Sequence, residues 1–154
     1  MNNSLNRSVT VRCSIEKAFE TFTTQINAWW PKSHRNNEQS EIQFEMKVGG
    51  RLFERTPDGH EKTLGEVTLC ERPCRIAYTW YPGANRLPTQ VDVTFTEMDS
   101  SVDEPCTLVE VAHSEGLSAL GEEWPERVKK FDAAWREVLS AFATTACLNE
   151  EKRS

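Results

Sequence analysis

The side chains best equipped for chemistry in this chain are His113 with its neighbour Ser114, the pair Cys70 and Cys74, and a dense set of aromatic residues. Imidazole changes charge close to neutral pH, so a histidine in a cavity suggests acid–base work. No Asp or Glu stands in a recognisable motif to orient this one. His113 therefore reads first as a strand-end histidine that packs and hydrogen-bonds. Ser114 lacks the strand–turn–helix context of a hydrolase nucleophile. Cys70 and Cys74 lie four positions apart, but no second Cys or His pair at ligand spacing accompanies them. They read as small apolar fillers near a strand end, and neither a metal nor a cofactor is expected.

The aromatic set is Trp29, Trp30, Phe44, Phe53, Tyr78, Trp80, Trp124, Phe131 and Trp135, and five tryptophans are many for 154 residues. Most aromatic side chains serve as core. A subset must line whatever space lies between the elements, and small-molecule pockets are mainly apolar with a few polar groups fixing orientation. The cavity candidates are Trp30, Phe44, Phe53, Tyr78, Trp80, His113, Trp124, Phe131 and Trp135. Tyr78, His113, Arg51 and Glu110 are candidate orienting groups, each dependent on strand register, since a one-residue slip reverses the face. No catalytic residue is assigned.

These residues are positioned by elements that the patterning predicts. Ser8 to Arg12 reads as a short strand. Ser14 can cap a helix with Ile15, Ala18, Phe19, Phe22 and Ile26 at helical spacing, stopped by Trp29-Trp30-Pro31. Ile42, Phe44, Met46 and Val48 alternate with polar residues as a strand with one buried face, and Gly49-Gly50 marks a bend. Arg51 to Arg55, Leu64 to Cys70 and Arg75 to Tyr81 follow as strands, with Ile76, Tyr78 and Trp80 on one face. Val91, Val93 and Phe95 define the next strand, Met98 to Pro105 an acidic hairpin connection, and Thr107, Val109, Val111 and His113 one face of the last strand. A long helix runs from about Gly121 to Ala146, with Trp124, Val128, Phe131, Trp135, Val138, Leu139 and Phe142 along one side.

Strands kept apart from helices indicate α+β with an antiparallel sheet, and the short gaps favour a meander. The expected architecture is a curved sheet of about six to seven strands wrapped around the long C-terminal helix. One domain spans residues 1–154, its core about 7–146, with flexible tails at 1–6 and 148–154.

A chain of this length buries roughly 68–70% of its unfolded surface and needs no staples. The formal charge of −6 and pI near 5.2 argue against nucleic-acid binding, which needs a basic patch. No polybasic run suits an anionic membrane surface, no stretch reaches the ~20 apolar residues of a span, and Met1 to Arg7 carries no secretory apolar region. The five scattered cysteines read as reduced thiols, so a cytoplasmic location is expected; oligomeric state is open.

Several local motifs in this order resemble the START-like superfamily (SRPBCC, helix-grip). More narrowly they resemble the family named after the activator of the heat-shock chaperone ATPase. They are Ala28-Trp29-Trp30, Gly49-Gly50-Arg51-Leu52-Phe53, Gly65-Glu66-Val67, Arg75 to Trp80, Thr107 to Val111 with His113-Ser114, and Trp135, covering about Arg7 to Ala143. Ala134 stands where many relatives have glycine, and Glu115-Gly116-Leu117 departs from the usual turn. Both bear on ligand identity rather than fold. The resemblance implies a helix-grip fold and a cavity between helix and sheet. The superfamily spans lipid carriers, hormone receptors and polyketide aromatases, so fold alone does not fix chemistry. The expected function is binding of a small hydrophobic or aromatic molecule in that cavity. The alternatives are a cyclase- or aromatase-like enzyme using His113 or Tyr78, or a chaperone-activator-like interaction module.

Overall fold

The described residues make seven strands, three α-helices and one short 3-10 turn: β1 (Leu5–Val11), α1 (Ile15–Phe22), α2 (Ile26–Trp29), the turn Lys32–His34, β2 (Glu41–Phe44), β3 (Arg51–Arg55), β4 (Glu61–Glu71), β5 (Arg75–Trp80), β6 (Thr89–Met98), β7 (Cys106–Ser114) and α3 (Glu123–Glu151). The computed structural model describes residues 5–35, 37–80, 89–98, 105–114 and 123–151, and side chains within α3 over 129–146. The acidic connection between β6 and β7 and the side chain of Trp124 lie outside them. The strands form one antiparallel sheet in the order β1-β7-β6-β5-β4-β3-β2. It is a hairpin meander curled into a half-barrel, with β1 returning to pair beside β7.

The alternating residues of β5, β6 and β7 dictate which face is buried. Ile76 and Tyr78, then Val91, Val93 and Phe95, then Thr107, Val109, Val111 and His113 all point to the concave side. Against that face lies α3, with Trp135, Val138, Leu139, Phe142 and Ala146 buried. Val138, Leu139 and Phe142 each stabilise the fold by roughly 1.5–3 kcal/mol on burial. α1 closes the same layer, its Phe19 and Phe22 packed on Phe95 at ring separations of 5.2 and 5.8 Å.

β4 begins at Glu61 rather than Leu64, and four further boundaries differ from the sequence expectation for a local reason. β1 begins at Leu5, earlier than Ser8, because Leu5 pairs with His113 and Asn6 with Ala112, which carries the strand to the end of β7. The first helix is divided. The Thr23 N–H and hydroxyl both donate to the Phe19 carbonyl, at 3.0 and 2.7 Å, ending α1 before the chain turns into α2. β2 stops at Phe44, so the Met46 and Val48 positions belong to a turn, and Val48 is 67% exposed. In that turn Gly49 has a φ of +88°, open to glycine at little cost. Finally, α3 continues to Glu151, since Cys147 to Glu151 contains neither the Gly nor the Pro that usually stops a helix.

One glycine bears directly on the site. A Cβ on Gly65 would sit 1.9 Å from the Thr79 carbonyl oxygen. Only glycine lets β4 approach β5 this closely beside Trp80.

Candidate functional site

The concave face and α3 do not meet uniformly. Near the ends of β5, β6 and β7 they leave a pocket of about 80 Å³ lined by Trp30, His34, Tyr78, Trp80, His113, Phe131, Ala134, Trp135 and Val138. Six of the sequence candidates therefore converge: Trp30, Tyr78, Trp80, His113, Phe131 and Trp135. Their walls are made by ring contacts. Trp30 meets Trp80 at 5.9 Å, and His113 stacks on Phe131 at 4.2 Å.

His113 is the polar centre of this pocket, and its hydrogen bonds define its state. The Trp135 Nε1–H donates to His113 Nδ1 at 3.0 Å. Indole nitrogen is only a donor, so Nδ1 must be the unprotonated nitrogen and the proton sits on Nε2. From there it is donated to Thr89 Oγ1 at 2.7 Å, and the Thr89 hydroxyl passes a hydrogen bond to the Trp80 carbonyl at 3.2 Å. A chain of donors thus ties α3 to β7, β6 and β5 in one direction. His113 is neutral in it, with both nitrogens engaged and the ring 1% exposed.

Trp30 is held by a different device. It follows α2, and the Arg35 guanidinium donates to the Trp30 carbonyl at 2.7 Å, to Asn27 Oδ1 at 2.9 Å and to the Ser40 carbonyl at 2.6 Å. Burial lowers the Arg35 pKa, with Glu54 acting in the opposite direction. His34, in the short turn after Trp30, lies 3.1 Å from Glu137 on α3, and Ser33 donates to the same carboxylate. The His34 hydrogen bond holds the Glu137 carboxyl below its ordinary range, with Ser33 adding to it. Tyr78 is buried, and that burial pushes its phenol well above its ordinary value, so it stays a neutral donor.

The remaining candidates fall elsewhere. Phe44 packs edge-on against the Tyr78 ring at 5.2 Å, behind the pocket wall rather than in it. Phe53 lies outside the core cluster, opposite Leu52, with the guanidiniums of Arg51 and Arg55 over its ring at 4.2 and 5.4 Å. The register shift between Leu52 and Phe53 and the pleat of β3 put it there. Arg51 is correspondingly outside, bonded to Glu45 and Glu61. Glu110 alternates with Val109 and Val111 and so faces outward. It lines a larger hollow of about 300 Å³ on the convex side with Asn6, Ser8, Asp92 and Thr94. Most of its lining residues are polar or charged, and Arg75 donates to Asp92 beside it at 2.9 Å.

Sequence reading missed Ala134, Val138 and His34 as wall residues, Thr89 as the partner of His113, and Arg35 as the clamp on Trp30. The helical stripe contained the signal for Val138, and Ala134 was noted only as a departure from the family pattern. The two polar partners come from loop ends and a strand start, which no periodicity marks. Among the described residues, no group of three His, Cys, Asp or Glu side chains is placed to hold a metal ion, and no helix is long and apolar enough to cross a membrane.

A helix clasped by a curled seven-stranded sheet is the architecture, and the sequence over residues 12–146 matches the model of the Activator of Hsp90 ATPase homolog 1-like protein family. The chain belongs to that family. No curated protein matches it. Among solved structures it is similar to Txn09, described as an anthrahydroquino-gamma-pyrone synthase, with 28% identity and a TM-score of 0.57 over 94% of this chain and 99% of that one. It is also similar to CalC of Micromonospora echinospora, a self-sacrificing resistance protein, with 24% identity and a TM-score of 0.69 over 94% and 96% of the two chains. Protein MLL2253 of Mesorhizobium loti shares 15% identity with a TM-score of 0.67 over 92% and 94%. The last two likenesses are likenesses of fold.

Proposed function

We propose that this family member binds a small aromatic molecule, one ring of which enters the pocket between α3 and the concave face of the sheet. The observation that carries this reading is the wall itself: Trp30, Tyr78, Trp80, Phe131 and Trp135 converge on one space, while Phe22, Trp29 and Phe142 meet ring to ring farther along the helix. A volume of about 80 Å³ is small beside the ~300–1,000 Å³ of typical ligand pockets, so only part of a larger molecule is enclosed. Flat aromatic faces favour stacked or edge-on rings, each such pair adding about 0.5–1.5 kcal/mol beyond burial. The description of Txn09 as a synthase of a fused aromatic product supports a polycyclic aromatic as the ligand class.

Binding rather than turnover is favoured by His113. Its nitrogens hold Trp135 and Thr89, leaving neither free to take a proton from a ligand. Tyr78 is likewise kept protonated by burial. The test is a calorimetric and tryptophan-fluorescence screen across aromatic polyketides, flavonoids and fatty acids, with product analysis by mass spectrometry. Saturable quenching by aromatic compounds, weaker or absent for fatty acids, with every compound recovered unchanged, is the expected result. Conversion of a compound that is lost in His113→Ala would replace this reading with the enzyme one. Absence of binding by all of them would favour an interaction module.

A further inference from the structure

Three buried indoles surround or approach the pocket, and they differ in what their N–H groups meet. Trp29 donates to the Thr21 carbonyl at 2.6 Å, and Trp135 donates to His113 at 3.0 Å. Trp30, only 7% exposed, has a buried Nε1 with no hydrogen-bond partner among the described residues. A buried donor left unpaired carries its full desolvation cost, so native structures rarely tolerate one without a reason. Its backbone is not free to move away from this arrangement, because Arg35 clamps the Trp30 carbonyl.

A second donor stands on the same wall. Tyr78 lines the same pocket, and burial keeps its phenol protonated. Of the other polar groups in the lining, His113 is already satisfied on both nitrogens, and His34 is bonded to Glu137. An indole N–H can only donate, so what the Trp30 side chain lacks is an acceptor. A ligand that brought only a donor, or a hydrocarbon, would leave the Trp30 N–H unmet.

Resting on the aromatic-binding reading above, we propose that the ligand of this pocket carries a carbonyl oxygen on its aromatic ring, as an aryl ketone or quinone does, and that this oxygen accepts from Trp30 Nε1–H with Tyr78 O–H as the second donor. Trp30 is thus the specificity-determining residue of the site, selecting ring carbonyls over equally flat hydrocarbons. No charge is required, which agrees with a neutral His113 and with the absence of any Lys or Arg among the described lining residues.

The test compares acetophenone with α-methylstyrene, near-isosteres in which a carbonyl oxygen replaces a methylene carbon, by calorimetric titration of wild type, Trp30→Phe and Tyr78→Phe. Comparing affinity ratios between proteins cancels the different hydrophobicity of the two probes. Replacing Trp30 by Phe keeps an aromatic wall, and thermal melts check that each variant is folded. We expect Trp30→Phe to lower the acetophenone-to-α-methylstyrene affinity ratio by about 3- to 10-fold, the worth of one neutral hydrogen bond, and Tyr78→Phe to lower it by less. Unchanged ratios with both probes still bound would overturn the carbonyl selection and leave aromatic binding standing. Failure of both probes to bind wild type would remove the aromatic-binding reading and this inference with it.

Discussion

The two ends of the interface between α3 and the sheet are built from similar residues and reach opposite outcomes. At one end Phe19, Phe22, Trp29, Phe95 and Phe142 interlock edge to face at ring separations of 5.2 to 5.8 Å. The only polar atom those rings contribute, Trp29 Nε1, is bonded to a backbone carbonyl. At the other end Trp30, Tyr78, Trp80, Phe131 and Trp135 surround a space and carry the polar atoms, His113 among them. Aromatic content alone therefore does not distinguish core from site. The difference is whether the rings meet each other and whether their polar atoms are satisfied. The filled end anchors the helix, and the hollow end trades some of that packing for a recognisable surface.

That contrast is open to direct attack, and the largest effect should come from the filled end. Phe142→Ala removes a fully buried ring in contact with Phe22 and Trp29 and should cost about 3–5 kcal/mol of stability in urea melts, with ligand affinity of the folded fraction little changed. A loss under about 1 kcal/mol, small for a buried aromatic, would mean the two ends are not mechanically distinct. Trp135→Phe should cost less, about 1–3 kcal/mol, because most of the ring remains while the buried Nδ1 of His113 loses its donor. In that variant the imidazole is free to take either tautomer, so its NMR nitrogen shifts should move from those of a pure Nε2–H ring toward a mixture. Unaltered shifts would show that Trp135 does not set the state of His113.

What sequence revealed of this arrangement follows the same division. Period-two strands and a period-3.6 helix expose the sign of each face. For that reason Ile76, Tyr78 and Trp80, the β7 set ending in His113, and the stripe from Phe131 to Phe142 could be placed on the inside without coordinates. Phe53 broke the rule because the register shift beside it and two covering arginines let an aromatic ring be buried on the outer face. Met46 and Val48 continued an alternating pattern past the point where the chain turns, since pattern records what a strand would bury and not whether a partner strand is there. The polar relay from Trp135 through His113 and Thr89 to Trp80 joins residues 9 to 24 positions apart in sequence, on three strands and a helix. Nothing local in the sequence marks such a relay; it exists only once the half-barrel curls.

The hollow itself depends on one small side chain. Ala134 faces it from α3, and enlarging that residue should fill the space without disturbing the phenylalanine cluster at the other end. The most direct measurement is a paired fluorescence titration of wild type and Ala134→Leu with an aromatic compound that binds wild type, alongside melts of both proteins. The pocket account predicts one-to-one saturable quenching in wild type, a loss of at least about tenfold in affinity for Ala134→Leu, and stability altered by no more than about 1–3 kcal/mol, the usual range for a small-to-large change. Equal affinity in a folded Ala134→Leu would place the ligand elsewhere on the molecule and contradict it.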